Sequence, residues 1–210
     1  MTDNELIEKI ISLYKEARVT TYIKKNIKRG RSHSISSRVE DLFAVYISEM
    51  LPENVEILID QPFTYHSDKT YAMYPDIAVI RNNEVVKLFD IKMDLGWNRD
   101  FYPFCKEKQD FIDEIKGLQV KAKDGATKEQ KIYKISDSVK INIVIVSNAN
   151  ISKTKREENE KRILTLDKNK IEVFVLADAH PNNYDDDDIT NIPLRQIDMD
   201  NLKREIRLNI

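Results

Sequence analysis

Two apolar runs in the second half of the chain constrain its fold more than any other sequence feature. Each run, 141–146 and 171–176, contains a single polar residue. Strands of this composition are buried on both faces, which requires helices on both sides of a sheet. The charged segment between them, Lys153 to Leu164, has the length and composition of an exposed helix. A strand, a helix and a second strand in this order predict an α/β fold.

Further helices are predicted from apolar residues at helical spacing. The first follows Thr2-x-x-Glu5, a pattern that resembles a capping box. Its stripe contains Leu6, Ile7, Ile10, Leu13, Tyr14 and Ala17. A second stripe runs from Ile35 to Met50 and ends at Leu51-Pro52, where proline disfavours continuation of the helix. Two more helices are predicted at about 105–121 and at 201–208.

Three strands are predicted between the second and third of these helices. Residues 55–65 are rich in β-branched and aromatic side chains, with Pro62 marking an edge or a bulge. Residues 76–80 and 85–91 flank Asn82-Asn83, a turn pair, and so predict a hairpin. Together the elements predict a mixed sheet with helices on both faces, in a single domain of 210 residues.

Composition narrows the functional classes. The 34 basic and 36 acidic residues nearly balance, which counts against a coating protein but not against an enzyme with a basic rim. No apolar run approaches the ~18–20 residues of a membrane span, and the single Cys105 suits a reducing compartment. We therefore expect a cytoplasmic protein without a membrane partner. The glycine-rich phosphate-binding motifs are missing from the sequence, so no nucleotide cofactor is expected.

Two carboxylates and a lysine at the predicted hairpin carry the chemical signal. Pro75-Asp76 opens one strand, and Asp90-Ile91-Lys92 closes the next. Hydrolysis of a phosphodiester needs a neutralised phosphate, an activated water and a stabilised leaving oxygen. Two carboxylates that hold Mg²⁺ and a lysine beside them can supply these needs. The competing interpretation is an aspartate at a strand start and a solvated ion pair at a strand end.

Strand parity links this interpretation to a register. Asp90 and Lys92 are two residues apart and therefore point to one face of the sheet. A three-residue loop, Asn82-Asn83-Glu84, pairs residue 81 with residue 85 and places Asp76 opposite Asp90. A two-residue turn, Asn82-Asn83, instead pairs Asp76 with Phe89 and sends Asp90 to the other face. The functional interpretation predicts the first of these registers.

Pro75-Asp76 and Asp90-Ile91-Lys92 resemble the motif of the PD-(D/E)xK nuclease superfamily, whose fold is restriction-endonuclease-like. The family's core order, αβββαβ, also matches the elements predicted over residues 37–146. The resemblance, greatest to type II restriction endonucleases, implies an endodeoxyribonuclease that uses Mg²⁺, with Mn²⁺ as a substitute. It also implies double-stranded DNA as substrate and a homodimer that matches symmetric half-sites. We divide the single domain into a helix and basic arm (1–33), a catalytic core (34–180) and an extension (181–210).

The family usually adds a third carboxylate from the helix before the strands. Glu40 and Asp41 are the candidates, and helical geometry places Glu40 at the border of the buried face and Asp41 toward solvent. Glu40 is therefore the expected third catalytic and metal-binding residue, beside Asp76 and Asp90. Ser37-x-x-Glu40 also has the pattern of a capping box, so a purely structural role for Glu40 stays open.

Basic and polar residues near these elements are candidates for DNA contacts. One set lies in a basic stretch before the second helix, where a solvated loop is the alternative, and the other follows the catalytic lysine. The candidates are Lys24, Lys25, Lys28, Arg29, Arg31, Asn98 and Arg99. Lys106, Lys108 and Lys116, on the helix after them, are further candidates. Two other functions remain open: a junction-resolving, repair or defence nuclease of the same fold, and a non-catalytic DNA-binding protein.

Overall fold

A computed structural model describes residues 1–18, 33–66, 69–96, 98–125, 127–181 and 193–208. Within these residues the protein is a mixed α/β fold with an eight-stranded sheet and five helices. The helices are α1 (Asp3–Arg18), α2 (Ser36–Ser48), α3 (Phe101–Ile115), α4 (Lys153–Ile163) and α5 (Gln196–Arg207). The strands are β1 (Glu56–Ile59), β2 (Phe63–His66), β3 (Thr70–Met73), β4 (Ile77–Arg81), β5 (Glu84–Lys92), β6 (Gln119–Lys123), β7 (Gln130–Ser147) and β8 (Ile171–Ala177). The predicted α/β class is confirmed.

The centre of the sheet combines antiparallel and parallel pairing. Strands β1, β4 and β5 are antiparallel neighbours, and β5 then pairs in parallel with β7, mostly with residues 140–145. Helix α3 makes the connection between β5 and β7, as a parallel pair requires. Helix α4 likewise connects β7 to the parallel strand β8. The two apolar runs thus form neighbouring parallel strands.

A second group of strands extends the sheet in a way that the apolar pattern does not predict. The predicted strand 55–65 is two strands, because Asp60 has a φ of 46° and Pro62 interrupts the ladder. The predicted helix at about 105–121 is wrong at both ends. It starts at Phe101 and ends at Ile115, after which Gly117 adopts a φ of 74° and β6 begins. Strand β6 pairs with β2 and with the first half of β7.

Helices cover both faces of the sheet, as predicted. One core cluster joins α1, α2 and α5 to residues of β4 and β5 such as Ile77 and Phe89. The other joins α3 to the alternate residues of these strands, such as Ala78 and Leu88. Alternation along each strand therefore assigns every side chain to one of two helical layers.

The ends of the described chain pack into the first of these clusters. Helix α1 carries the expected capping box: Glu5 N donates to Thr2 Oγ1 at 3.2 Å, and Thr2 N donates to the Glu5 carboxylate at 2.6 Å. Helix α5 begins at Gln196, earlier than the predicted residue 201, and buries Met199, Leu202 and Ile206. Within the described residues, each helix is too short or too polar to cross a lipid bilayer.

Candidate active site

The β4–β5 hairpin positions the candidate residues through a turn and a bulge. Asn82 and Asn83 have φ values of 51° and 62°, as a two-residue type I′ turn requires, and Arg81 pairs with Glu84. The predicted three-residue loop is therefore wrong. A bulge at Val86 then shifts the pairing by one residue, so that Ile77 lies opposite Phe89. Extending this pairing by one residue sets Asp76 opposite Asp90, which is the register that the functional interpretation predicts.

Asp76 is held by two neighbouring strands. Its backbone carbonyl accepts a hydrogen bond from Asp60 N at 2.9 Å, just after β1. Its Oδ2 accepts from Ile91 N at 2.5 Å and so takes the place of a backbone acceptor in the β5 ladder. Burial raises the pKa of Asp76, and the charge of Asp90 adds to this, while the hydrogen bond from Ile91 opposes it. No described hydrogen-bond donor contacts Asp76 Oδ1.

Asp90 is buried between two lysines. The residue is 6% exposed, which contradicts the solvated strand end of the competing interpretation. Its Oδ1 contacts the Lys92 ammonium without an aligned hydrogen bond, and its Oδ2 lies 2.8 Å from Nζ of Lys108. Burial raises the pKa of Asp90, but the charges of Lys108 and Lys92 outweigh burial and leave it below its usual value. Asp90 is therefore ionised at neutral pH.

The two lysines also share an aromatic neighbour. Nζ of Lys92 and Nζ of Lys108 each lie 5.3 Å from the centroid of the Phe104 ring. Lys92 reaches this position from the end of β5, on the same face as Asp90, whereas Lys108 reaches it from α3. Cation–π contact and the shared carboxylate hold both ammonium groups beside Asp90.

Glu40 lies near the start of α2, within electrostatic range of Asp76. Helix α2 starts after Ile35 and has no side-chain cap, so Ser37 is already inside the helix and the capping-box alternative is wrong. Burial raises the pKa of Glu40 to about 6, and the charges of Asp76 and Asp60 contribute. Asp41, the rejected candidate, is exposed.

Lys108 is the site residue that sequence reasoning did not assign to the centre. It was predicted only as a DNA contact, yet it pairs with Asp90. The signal is visible in retrospect, because Lys108 falls on the apolar stripe of α3 between Cys105 and Ile112. A lysine on a buried helix face requires a carboxylate partner. Burial, with a contribution from Asp90, raises the pKa of Cys105 to about 12, so its thiol stays protonated at neutral pH.

Helix α3 is held in place by a buried asparagine of α4. Asn159 is 2% exposed; its Oδ1 accepts from Phe101 N at 3.3 Å, and its Nδ2 donates to Arg99 O at 2.8 Å. This contact satisfies a free amide at the start of α3, in place of a cap from α3 itself. The position of Lys108 therefore depends on the packing of α4 against α3.

The donor set fits a hard divalent cation. Asp76 and Asp90 supply carboxylate oxygens, and Mg²⁺ is commonly held by one or two carboxylates with water and phosphate. We refer to Glu40, Asp76 and Asp90 together as the carboxylate cluster, in which two lysines contact Asp90. Among the described residues, no group of three or more His, Cys, Asp and Glu side chains could hold a metal ion. The assignment of Glu40 as the third ligand therefore stays a prediction.

The other predicted DNA contacts are only partly described. Asn98 and Arg99 lie in the turn between β5 and α3, where Asn98 N donates to Leu95 O at 3.1 Å and Arg99 Nε to Gly96 O at 3.2 Å. No described hydrogen bond or ion pair links either side chain to the carboxylate cluster. The basic stretch containing Lys24, Lys25, Lys28, Arg29 and Arg31 lies outside the described residues.

Comparisons with protein-family models, with curated proteins and with solved structures found no match to this chain.

Proposed function

We propose that this protein is a Mg²⁺-dependent endodeoxyribonuclease of the PD-(D/E)xK type, acting on double-stranded DNA. The observation that supports this most is the register of the hairpin, which sets Asp76 opposite Asp90 with Lys92 on the same face. The antiparallel neighbours β1, β4 and β5 between α2 and α3, followed by the parallel strand β7, are consistent with the αβββαβ core of that superfamily. A type II restriction endonuclease acting as a homodimer is the specific form we favour.

The side chains divide the reaction between them. Asp76 and Asp90 would hold Mg²⁺, which when bound supplies Lewis-acid chemistry that neutralises the phosphate and acidifies water. Lys92 is partly exposed and can orient the attacking water or stabilise the negative charge that develops on the phosphate. Glu40, with its pKa at about 6, can take up a proton close to neutral pH. The lysines would meanwhile keep Asp90 ionised and ready to bind a cation.

The direct test is incubation of supercoiled plasmid and phage DNA with the purified protein in Mg²⁺, in Mn²⁺ and in EDTA. We expect cleavage with either cation and none in EDTA, with discrete fragments if cleavage is site-specific. Asp76→Asn keeps an acceptor for Ile91 N but removes the charge, and should abolish cleavage. Asp137→Asn is the matched control, because the Asp137 side chain is 79% exposed and, among the described residues, its ion pair is with Lys134 on the surface. Equal activity of the two variants would contradict the proposal.

One observation favours a second candidate, a DNA-binding protein without catalytic activity. Both oxygens of Asp90 are already engaged by ammonium groups, as in an ion pair that only stabilises the fold. This candidate predicts DNA binding that is independent of divalent cations, and intact plasmid under all of these conditions. It also predicts that Asp76→Asn leaves DNA affinity unchanged in the presence of Ca²⁺.

A further inference from the structure

A groove beside the carboxylate cluster has no role in the proposed hydrolysis of DNA. It has a volume of about 880 Å³ and lies between α3 and the residues that connect β3 to β4. Lys108 lines this groove while pairing with Asp90, and Tyr74 lines it two residues before Asp76. The groove therefore adjoins the candidate active site at Lys108.

Aromatic and aliphatic side chains form the floor of the groove. Met73, Tyr102 and Phe111 contribute to it, and the guanidinium of Arg162 lies 4.2 Å from the centroid of the Tyr102 ring. Tyr74 is 64% exposed, and no described ring or cation lies against its face. An unpartnered aromatic ring at the mouth of an apolar groove is suited to stack on a planar ligand.

The charges around the groove argue against a phosphate as the occupant. Lys106, Lys108 and Arg162 are balanced by three carboxylates, and Lys106 and Lys108 are already paired, with Asp110 and with Asp90. The remaining carboxylates, Glu107 and Glu114, are exposed at the rim. Carboxylates repel phosphate but accept hydrogen bonds from the exocyclic amines of bases. The groove thus has the chemistry for a neutral, planar, amine-bearing group.

We propose that this groove binds a nucleobase of the DNA substrate, unstacked from its neighbours and lying next to the scissile phosphate, with Tyr74 as its stacking platform. The inference rests on the proposed nuclease function, which places a phosphate at Asp76 and Asp90. A base that is already unpaired costs little to unstack, whereas a paired base must first be extruded. The protein should therefore prefer DNA with an unpaired nucleotide over fully paired DNA of the same sequence.

The test is a binding titration in Ca²⁺, with a short fluorescein-labelled duplex and the same duplex carrying one unpaired adenine. We expect wild-type protein to bind the bulged duplex at least about tenfold more tightly, equivalent to about 1.4 kcal/mol. This is within the range for removal of one base–aromatic stack. Tyr74→Ala should remove the preference, and Tyr74→Phe, which keeps the ring, should retain it. Ile132→Ala is the control, since Ile132 is 56% exposed and lies outside the groove.

Equal affinity of wild-type protein for the two duplexes, or an unchanged preference in Tyr74→Ala, would overturn the inference. Because the titration needs no turnover, it stands apart from the cleavage assay. Plasmid cleavage without a preference for the bulged duplex would refute only the proposal that the groove binds a base. If the protein prefers the bulged duplex through Tyr74 but never cleaves DNA, only the proposed nuclease function is refuted.

Discussion

Lys92 and Lys108 offer a matched pair of substitutions that separates catalysis from stability. Both ammonium groups contact Asp90, both lie 5.3 Å from the Phe104 centroid, and their side chains are 33% and 32% exposed. As ion-pair partners they are nearly equivalent. If Lys92 acts on the transition state, however, only its loss removes a group that is aimed at the reacting phosphate.

The expected effects on stability follow from this equivalence. Methionine keeps the length of the side chain and its apolar contact with Phe104, but removes the charge. In each variant Asp90 retains one ammonium partner, so the large penalty for a fully unpaired buried charge does not arise. The ion pair removed in each case involves a lysine that is one-third solvated, and we expect each variant to lower the free energy of unfolding by about 1 kcal/mol.

The expected effects on cleavage differ. Lys92→Met should lower the single-turnover rate by at least ~10²-fold, the usual cost of losing a general acid–base or electrostatic group. Lys108→Met should lower it by less than ~10-fold, in line with an indirect effect through Asp90. Binding of DNA in Ca²⁺ should survive in both variants, because one lysine contributes little to total affinity. Equal losses of rate, or near wild-type cleavage by Lys92→Met, would refute the catalytic role of Lys92.

Three further predictions address other parts of the molecule. Because burial and Asp76 raise the pKa of Glu40 to about 6, the folded state holds the proton more tightly than the unfolded chain, and stability is lost as pH rises from 4.5 to 6. Glu40→Gln should therefore raise the free energy of unfolding at pH 7 by about 1 kcal/mol, a value that allows for solvent screening of this partly exposed group. At pH 4, where Glu40 is protonated in both states, the substitution should leave the free energy of unfolding unchanged. Chemical denaturation at the two pH values measures both effects. Asn83 has a φ of 62°, so Asn83→Gly should stabilise the protein by about 0.5 kcal/mol in thermal unfolding, and a loss of stability would contradict the turn assignment. If the basic stretch binds DNA phosphates, replacing Lys28, Arg29 and Arg31 with alanine should weaken the salt dependence of DNA binding. The slope of log affinity against log salt concentration should fall by ~0.9 for each phosphate that is no longer neutralised. An unchanged slope would show that these residues do not contact DNA phosphates.

The central elements could be predicted from the sequence because each has a strong local signal. The apolar runs at 141–146 and 171–176 predict strands buried on both faces, and β7 and β8 occupy those positions. Strand β2 was predicted only as the end of one strand at 55–65, and β3 and β6 were not predicted. Each is only four or five residues long, and β6 alternates Val120 and Ala122 with exposed residues. Their pairing is decided by contacts distant in sequence, which a local pattern does not contain.

In the candidate site, likewise, some residues could be predicted from the sequence and one could not. Asp76, Asp90 and Lys92 could be selected because their spacing along two strands has a chemical meaning. Lys108 could not be placed at the centre by spacing, since its partner Asp90 lies on a different element. Its position on the buried stripe of α3 indicated that it needs a carboxylate, but not which one. The sequence shows that such a residue must be paired, and only the packing of α3 identifies the partner.

The bulge at Val86 explains why Asp76 lies opposite Asp90 although the predicted three-residue loop is wrong. With the two-residue turn and no bulge, Lys87 would lie opposite Ala78, among the apolar side chains beneath α3. The extra residue turns Lys87 to the opposite layer, where its ammonium lies 3.3 Å from Glu205 of α5, and at the same time turns Asp90 toward Lys108. Burying either charge without its partner would cost several kcal/mol, far more than one interrupted ladder bond. The hairpin therefore combines the two-residue turn that its asparagines favour with a bulge that shifts the register. The shifted register is the more stable one because it brings each buried charge to its partner on α5 or α3.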